Sequence, residues 1–342
     1  MKPIWLRLIA LLGLSAAAML PAQAETRPRY GGTLRVEVRE SIETPDPPQT
    51  GFRLAQLNSA FSITRWEAGQ RAVYSANDSA PGGRPFLDTV DVQLGRGLRE
   101  QALDLELRKA DIVEVSPADA RRITAPRRLW SSAPVRLLAL VFGARVDDAR
   151  VREALALAID RPAILNVLLQ RQGEISGALL PQWLSGYAFL FPAAADVARA
   201  RSLVAAAPAS ARTLSLGVDD PAWQPIAARI ALNARDAGLN VTVAGATALA
   251  DVRLVETRIA SDDPAQALAG VASALGLPQP PAADTPDGAY LAERSLLDGF
   301  HVVPLFHLPY LYGVSPRVKG GPGISPLGDW RFENLWLDGA QP

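Results

Sequence analysis

Residues 213–243 constrain the fold more than any other stretch, because two apolar runs there flank one helical pattern. The runs Thr213 to Val218 and Asn240 to Val243 have the composition of strands. Asp220 is placed to cap the intervening helix and Gly238 to end it. Strands joined through a single helix form a βαβ unit, in which the two strands are parallel. The sequence therefore predicts an α/β protein.

A second region, from Asp148 to Arg161, predicts a helix with one apolar face. The residues on that face are Val151, Leu155, Ala158 and Ile159. Asp160 and Pro162 then indicate the start of another helix, which Gly173 would end. Neither segment carries a catalytic pattern, so both are interpreted as scaffold.

The N-terminus has the pattern of a secretory leader. Lys2 and Arg7 precede an apolar run from Leu8 to Leu20, and Ala22-Gln23-Ala24 follows. We expect residues 1–24 to be removed as a signal peptide and the mature protein to be periplasmic. An uncleaved membrane anchor is disfavoured, because 13 apolar residues are too few to span a bilayer. The chain has no cysteine, which excludes disulfides and the lipid-modified cysteine of a lipoprotein.

Charge and motif content argue against several functional classes. The 35 basic and 35 acidic residues form no basic patch, which argues against nucleic-acid binding. His301 and His307 are the two histidines, and without cysteines or a tight acidic cluster they do not make a metal site. No G-x-S-x-G motif occurs, and Gly95-Arg96-Gly97 lacks the third glycine of a phosphate-binding loop. We expect no catalytic residue, no metal and no cofactor; a periplasmic hydrolase is the alternative that this scarcity of histidine disfavours.

Five segments, in order along the chain, resemble the family 5 extracellular solute-binding proteins, the peptide and nickel receptors of ABC importers. They are Tyr30 to Val36 (YGGTLRV), Arg65 to Asp88, Leu103 to Pro117, Val135 to Leu180 and Val303 to Gly320 (VPLFHLPYLYGVSPRVKG). The resemblance implies a two-lobed periplasmic binding fold of class II, the peptide-binding type. Lobe I would comprise residues 25–133 and 309–342, and lobe II residues 134–308. Two strands that cross between the lobes near these limits would form the hinge.

The sequence departs from the family pattern in two places. Only the 25 residues from Ser41 to Arg65 stand where the family carries an inserted β-rich subdomain, which implies a reduced first lobe. The segment Thr257 to Pro264 (TRIASDDP) aligns with a Trp-x-x-Asp-Tyr-x-Asp-Pro loop of the family. In that alignment Thr257 replaces the tryptophan, and Ala260 replaces the aspartate that pairs with a peptide ligand's α-ammonium group.

The resemblance implies that the protein captures a small, peptide-like solute by lobe closure and delivers it to the permease of an ABC importer. The protein would be a monomer without a stable membrane anchor. The alternative is a degenerate, non-transporting remnant that acts as a regulatory or scaffold protein of the cell envelope.

Five residues are candidates for ligand binding. Arg258, Ser261 and Asp262 follow a predicted strand, at the position where open α/β sheets place their ligands. Trp183 and Tyr187 could supply aromatic walls to a cleft, and packing of their loop on its own lobe is the alternative.

Asp263 has a different interpretation from its neighbours. An aspartate directly before Pro264 is typical of a helix N-cap, so we expect Asp263 to begin a helix rather than to contact ligand.

Overall fold

A computed structural model describes residues 27–44, 57, 60–187, 189–245, 249–283 and 285–339. The predicted leader, residues 1–24, lies outside these ranges. In the described ranges no helix is both long enough and apolar enough to pass through a bilayer.

The strands are β1 (Thr33–Glu37), β2 (Phe61–Glu67), β3 (Arg71–Ala76), β4 (Thr89–Gln93), β5 (Ile112–Glu114), β6 (Arg128–Phe142), β7 (Glu174–Ile175), β8 (Thr213–Val218), β9 (Asn240–Ala244), β10 (Val252–Arg258), β11 (Val302–Val314), β12 (Val318–Lys319) and β13 (Trp336–Leu337). The longer helices are α1 (Leu98–Glu106), α2 (Ala149–Ala158), α3 (Val197–Ala206), α4 (Gln224–Asp236), α5 (Pro264–Leu275) and α6 (Pro286–Leu297). Shorter helical turns are Pro117–Arg122, Arg161–Ala163, Gln182–Ser185, Ala209–Arg212, Pro221–Trp223 and Asp298–Phe300.

In the described chain, β1 to β11 form one mixed sheet. Its strand order is β2-β3-β4-β1-β5-β11-β6-β10-β8-β9, with β7 paired to β11. β1 is parallel to β4 and β5, and β8 is parallel to β9 and β10. The predicted βαβ unit is confirmed as β8, α4 and β9, and the α/β class is confirmed with it.

Three of the longer helices begin at an aspartate N-cap. Asp148 caps α2, Asp196 caps α3 and Asp263 caps α5, each by accepting a hydrogen bond from a backbone N–H in the first turn. The interpretation of Asp263 as a helix cap is therefore confirmed.

The helix predicted to run from Asp160 to Gly173 begins as expected, with Asp160 as its N-cap, but ends earlier, at Leu168. One turn, Arg161–Ala163, leads into a π-helical turn at Ile164–Leu168. Gln170 and Arg171 then adopt left-handed backbone angles, with φ of 50° and 62°. Such residues do not continue a right-handed helix, so the chain turns away before the glycine.

The buried apolar residues form two large clusters. The first core comprises side chains of β1 to β4 together with Ile112, Trp130 and residues between 312 and 337. The second core is drawn from residues 135–308.

Two long strands, β6 and β11, contribute to both cores. The pairing of β6 with β11 shifts register on each side of Pro309, between the two cores. The division into lobes at 133/134 and 308/309, with a hinge in these strands, stays a prediction.

Candidate functional site

A cavity of about 1040 Å³ lies at the carboxyl ends of three strands that have parallel neighbours. Arg39 and Glu40 follow β1, Glu114 ends β5 with Ser116 beyond it, and Asp220 follows β8. Carboxyl ends of parallel strands are where open α/β sheets form ligand crevices. The lining also includes residues of β6, β10 and β11, so elements that contribute to both cores line the space.

An ion pair crosses this cavity between Arg39 and Asp220. The guanidinium Nη1 and Nη2 atoms lie 2.9 and 2.7 Å from the two carboxylate oxygens. The same carboxylate accepts the Ala222 N–H at 2.9 Å, which fixes it at the start of a helical turn. Burial lowers the pKa of Arg39, but the hydrogen bond and charge of Asp220 outweigh that and raise its pKa above the ordinary value. The pair therefore joins the segment after β1 to the βαβ unit.

A second polar group consists of Arg136, Glu256 and Trp223. Arg136 Nη1 lies 3.1 Å from Glu256 Oε1, and the indole N–H of Trp223 donates to Glu256 Oε2 at 3.0 Å. Arg136 Nη2 also donates to the Pro309 carbonyl at 2.7 Å. The guanidinium carbon stands 4.9 Å from the centre of the Tyr310 ring. These contacts hold three elements, β6, β10 and β11, in fixed positions along one part of the lining.

We expect Arg39→Ala to lower the free energy of unfolding by about 1 kcal/mol, because both partners of the pair are partly exposed and screened by solvent. The comparison variant is Asp220→Asn, which removes the charge but keeps an oxygen for the Ala222 N–H. Urea unfolding of both single variants and the double variant measures the pair's coupling energy. Additive effects at low salt would show that the pair contributes nothing.

The structure places Trp183 and Tyr187 away from the cavity lining, beside α6. Trp183 lies on the turn Gln182–Ser185 and is 45% exposed. The Tyr187 hydroxyl donates to Glu293 Oε2 at 2.8 Å, and its ring meets the Tyr290 ring edge-on at 5.4 Å. The structure thus shows Tyr187 packed on α6.

Arg258, Ser261 and Asp262 lie at and beyond the end of β10. Arg258 is the last residue of that strand and forms an ion pair with Asp329 of the C-terminal segment. The Ser261 hydroxyl accepts the Asp263 N–H at 3.1 Å, and Asp262 is exposed. None of the three lines the cavity. Contact of these residues, or of Trp183 and Tyr187, with ligand stays a prediction.

Sequence reasoning missed the residues that do line the cavity. Asp220 was interpreted as a helix cap alone, although it is the second residue after a strand with two parallel neighbours. The rule that locates ligands at carboxyl strand ends, applied to β8 as well as to β10, points to Asp219 and Asp220.

No histidine is among the described residues that line the cavity. His307 is 2% exposed, and its Nε2 atom lies 3.1 Å from the Leu179 carbonyl. Across the described ranges, no three His, Cys, Asp or Glu residues are grouped so as to hold a metal ion.

Comparison with known proteins finds similar binding proteins both by sequence and by structure. The oligopeptide-binding protein AppA of Bacillus subtilis is 26% identical over 121 residues, which are 34% of this chain and 22% of AppA. Among solved structures, AppA in complex with a nonapeptide matches with a TM-score of 0.68 and 15% identity, over 82% of this chain and 66% of AppA. NikA of Staphylococcus aureus, in complex with Ni(L-His)2, matches with a TM-score of 0.68 and 13% identity, over 82% of this chain and 68% of NikA.

The chain is thus shorter than these relatives, and the 121 residues that match the curated AppA sequence cover 22% of its length. Among the described elements, β1 ends at residue 37 and β2 begins at residue 61, a short connection in the expected place. The family model for bacterial extracellular solute-binding proteins, family 5 (middle), matches residues 31–278, well over half of the chain. The protein belongs to the family 5 bacterial extracellular solute-binding proteins.

Proposed function

We propose that the protein is the periplasmic substrate-binding component of an ABC importer and captures a small, peptide-like solute in the cavity. The observation that carries this proposal is the origin of the cavity lining. Segments after β1 and β5 face segments after β8 and on β10, so both cores contribute to the lining of one cavity. A ligand held there would touch residues 25–133 and 134–308 at once.

The mechanism follows from the two strands that run through both cores. We propose that lobe I (residues 25–133 and 309–342) and lobe II (residues 134–308) close around the solute by bending β6 and β11 near Pro309. Ligand would favour the closed form by its higher affinity for that form. The closed monomer would then present both lobes to the membrane permease, after export directed by residues 1–24.

The test begins with protein purified from the periplasm. Native mass spectrometry is expected to reveal a co-purified small molecule, and adding it back to ligand-free protein is expected to raise the melting temperature. At a ligand concentration 100 times Kd, the stabilisation should be about 2.7 kcal/mol.

A matched pair of variants ties the effect to the cavity. Ala222→Trp places a bulky ring in the lining and should abolish the ligand-induced shift. Ala228→Trp, at an exposed position of α4 outside the lining, should preserve it. Absence of any bound mass, with no thermal shift across peptide, sugar and metal libraries, would instead favour the regulatory or scaffold alternative.

A further inference from the structure

Both arginines of the cavity lining are paired with carboxylates of the same lining. Arg39 forms an ion pair with Asp220, and Arg136 forms one with Glu256. Each pair is neutral as a whole, so these four side chains add no net charge to the cavity. An anionic or cationic ligand would have to separate a pair in order to bind one of its members, which leaves the other member uncompensated.

The other acids of the described lining do not present a buried, uncompensated charge either. Glu114 Oε2 accepts the backbone N–H of Arg39 at 2.7 Å. Glu40 is not without a partner. Asp219 is exposed, so water already solvates and screens its carboxylate. The acids of the cavity therefore give little reason to expect a positively charged ligand.

Two aromatic side chains of the lining are engaged as well. The indole N–H of Trp223 donates to Glu256 at 3.0 Å. The Tyr310 ring has the guanidinium carbons of Arg136 and Arg258 at 4.9 and 5.9 Å from its centre. A ligand cation that approached this ring would meet two positive groups already beside it. The polar part of the lining is thus satisfied within the protein itself.

Apolar side chains on both sides of the cavity are at least partly open to solvent. On the side of β1 and β5 they are Leu98 and Val115, and on the side of the βαβ unit they are Val167, Leu168, Pro221 and Pro225. Val167 stands on the π-helical turn and is 65% exposed. A ligand that covers these groups removes apolar surface from water, which favours binding.

We propose that the cavity selects an uncharged, mainly apolar, peptide-like solute, that is, one whose amino and carboxyl ends are blocked or joined in a ring. This inference rests on the proposed binding function and narrows its ligand class. Such a solute covers the apolar lining without desolvating a charge. A free dipeptide brings an ammonium and a carboxylate into a lining whose described charges are already paired or solvated.

Four derivatives of one dipeptide test this selection with a constant apolar body. N-acetyl-leucyl-leucinamide is neutral, leucyl-leucinamide is a cation, leucyl-leucine is a zwitterion and N-acetyl-leucyl-leucine is an anion. Isothermal titration calorimetry is expected to show the neutral form binding at least about tenfold more tightly than each charged form. Its affinity should change little as salt is raised, because no ion pair with the protein is formed.

Two neighbouring variants test whether the ion pairs exclude charged ligands. Asp220→Asn and Asp219→Asn remove the same charge, but Asp220 is the partner of Arg39. Asp220→Asn is expected to raise the affinity for N-acetyl-leucyl-leucine by about tenfold, because it leaves the guanidinium group open to the ligand carboxylate. Asp219→Asn should change that affinity by less than about threefold, since its charge is screened. Equal gains in both variants would contradict exclusion by pairing.

A second pair of variants tests the apolar contact. Val167→Ser is expected to weaken binding of N-acetyl-leucyl-leucinamide by about fivefold, because it removes apolar surface from the lining. Leu232→Ser, at a 44% exposed position of α4 outside the lining, should leave that affinity unchanged. The same loss in both variants would show that Val167 does not contact the ligand.

The outcomes separate this inference from the binding function itself. If leucyl-leucine or another charged form binds as tightly as the neutral form, selection of an uncharged solute is overturned while ligand capture stands. A charged molecule co-purified from the periplasm would overturn it in the same way. If none of the four derivatives binds, the inference is also overturned, and the co-purified molecule decides separately whether the cavity takes another solute.

Discussion

Replacing Arg161 with alanine is expected to lower the free energy of unfolding by about 3–5 kcal/mol. The side chain is 0% exposed, and its guanidinium donates to three backbone carbonyls. Nη1 donates to the carbonyls of Ala156 and Ala193, and Nη2 to that of Pro304, each at 3.2 Å. These carbonyls belong to α2, to the segment before α3 and to β11, so one side chain ties three parts of the second core together.

The size of the effect follows from what the alanine variant leaves behind. Each buried carbonyl that loses its donor costs about 1–3 kcal/mol, and the removed side chain leaves a void. Relief of a buried charge offsets part of this cost. That charge is itself unfavourable, since burial lowers the pKa of Arg161 to about 10.

Chemical denaturation followed by circular dichroism measures the change. Arg161→Met restores much of the volume without donors, so its loss of stability isolates the carbonyl contacts from packing. Arg235→Ala, at an exposed position of α4, is the control and should change stability by less than about 0.5 kcal/mol. A methionine variant as stable as the wild type would show that the three contacts contribute nothing.

Replacing Glu293 with alanine is expected to cost about 3–4 kcal/mol. Its carboxylate is fully buried and accepts the backbone N–H groups of Leu179 and Leu180 through Oε1 and the Tyr187 hydroxyl through Oε2. Alanine leaves these donors without an acceptor in the interior. Thermal or urea unfolding measures the loss, and Glu106→Ala, at an exposed position of α1, provides the control.

The Glu293→Gln variant tests how the stability of the protein depends on pH through this carboxyl group. Burial raises the pKa of Glu293, although the bonds from Leu180, Tyr187 and Leu179 oppose the shift. The folded protein therefore holds this proton more tightly than the unfolded chain. The stability that comes from this tighter protonation of Glu293 is fully present below the ordinary carboxyl pKa of 4.5. It is lost as pH rises through the raised pKa of the folded protein.

Glu293→Gln keeps an oxygen for the two N–H groups but cannot ionise, so it removes this component. Its stability relative to the wild type should rise from pH 4.5 upward and level off once the wild-type carboxyl is ionised. Glu106→Gln should run parallel to the wild type over the same range. A parallel curve for Glu293→Gln would contradict the raised pKa.

Much of the fold could be predicted because helix caps and tight turns depend on residues that are adjacent in the sequence. Asp148, Asp196 and Asp263 cap helices through contacts within one turn, and such contacts are readable from a few adjacent residues. Gly69 forms the hairpin between β2 and β3 at a φ of 67°, which glycine accepts readily. The start of the helix after Asp160 was predicted correctly, but its end was placed too late, because the left-handed angles of Gln170 and Arg171 stop it before Gly173.

The candidate site could not be predicted in the same way. Arg39, Arg136, Asp220, Glu256 and Tyr310 meet only because the sheet brings β1, β6, β8, β10 and β11 together. Each of these residues has an ordinary local interpretation, as a residue within a strand, a residue after a strand or a helix cap. Their proximity depends on the order in which the strands pair in the sheet, and that order cannot be read from the sequence pattern.

The first core can form only late in synthesis, because it joins residues from the early part of the chain with residues beyond 312. Leu34 and Val92 pack in one cluster with Tyr312 and Phe332. β5 needs β11 as its outer neighbour, so the early strands cannot finish their sheet until residues beyond 302 have left the ribosome. Contacts of such long sequence separation form slowly. The sheet of the first core therefore stays incomplete for most of the chain's synthesis.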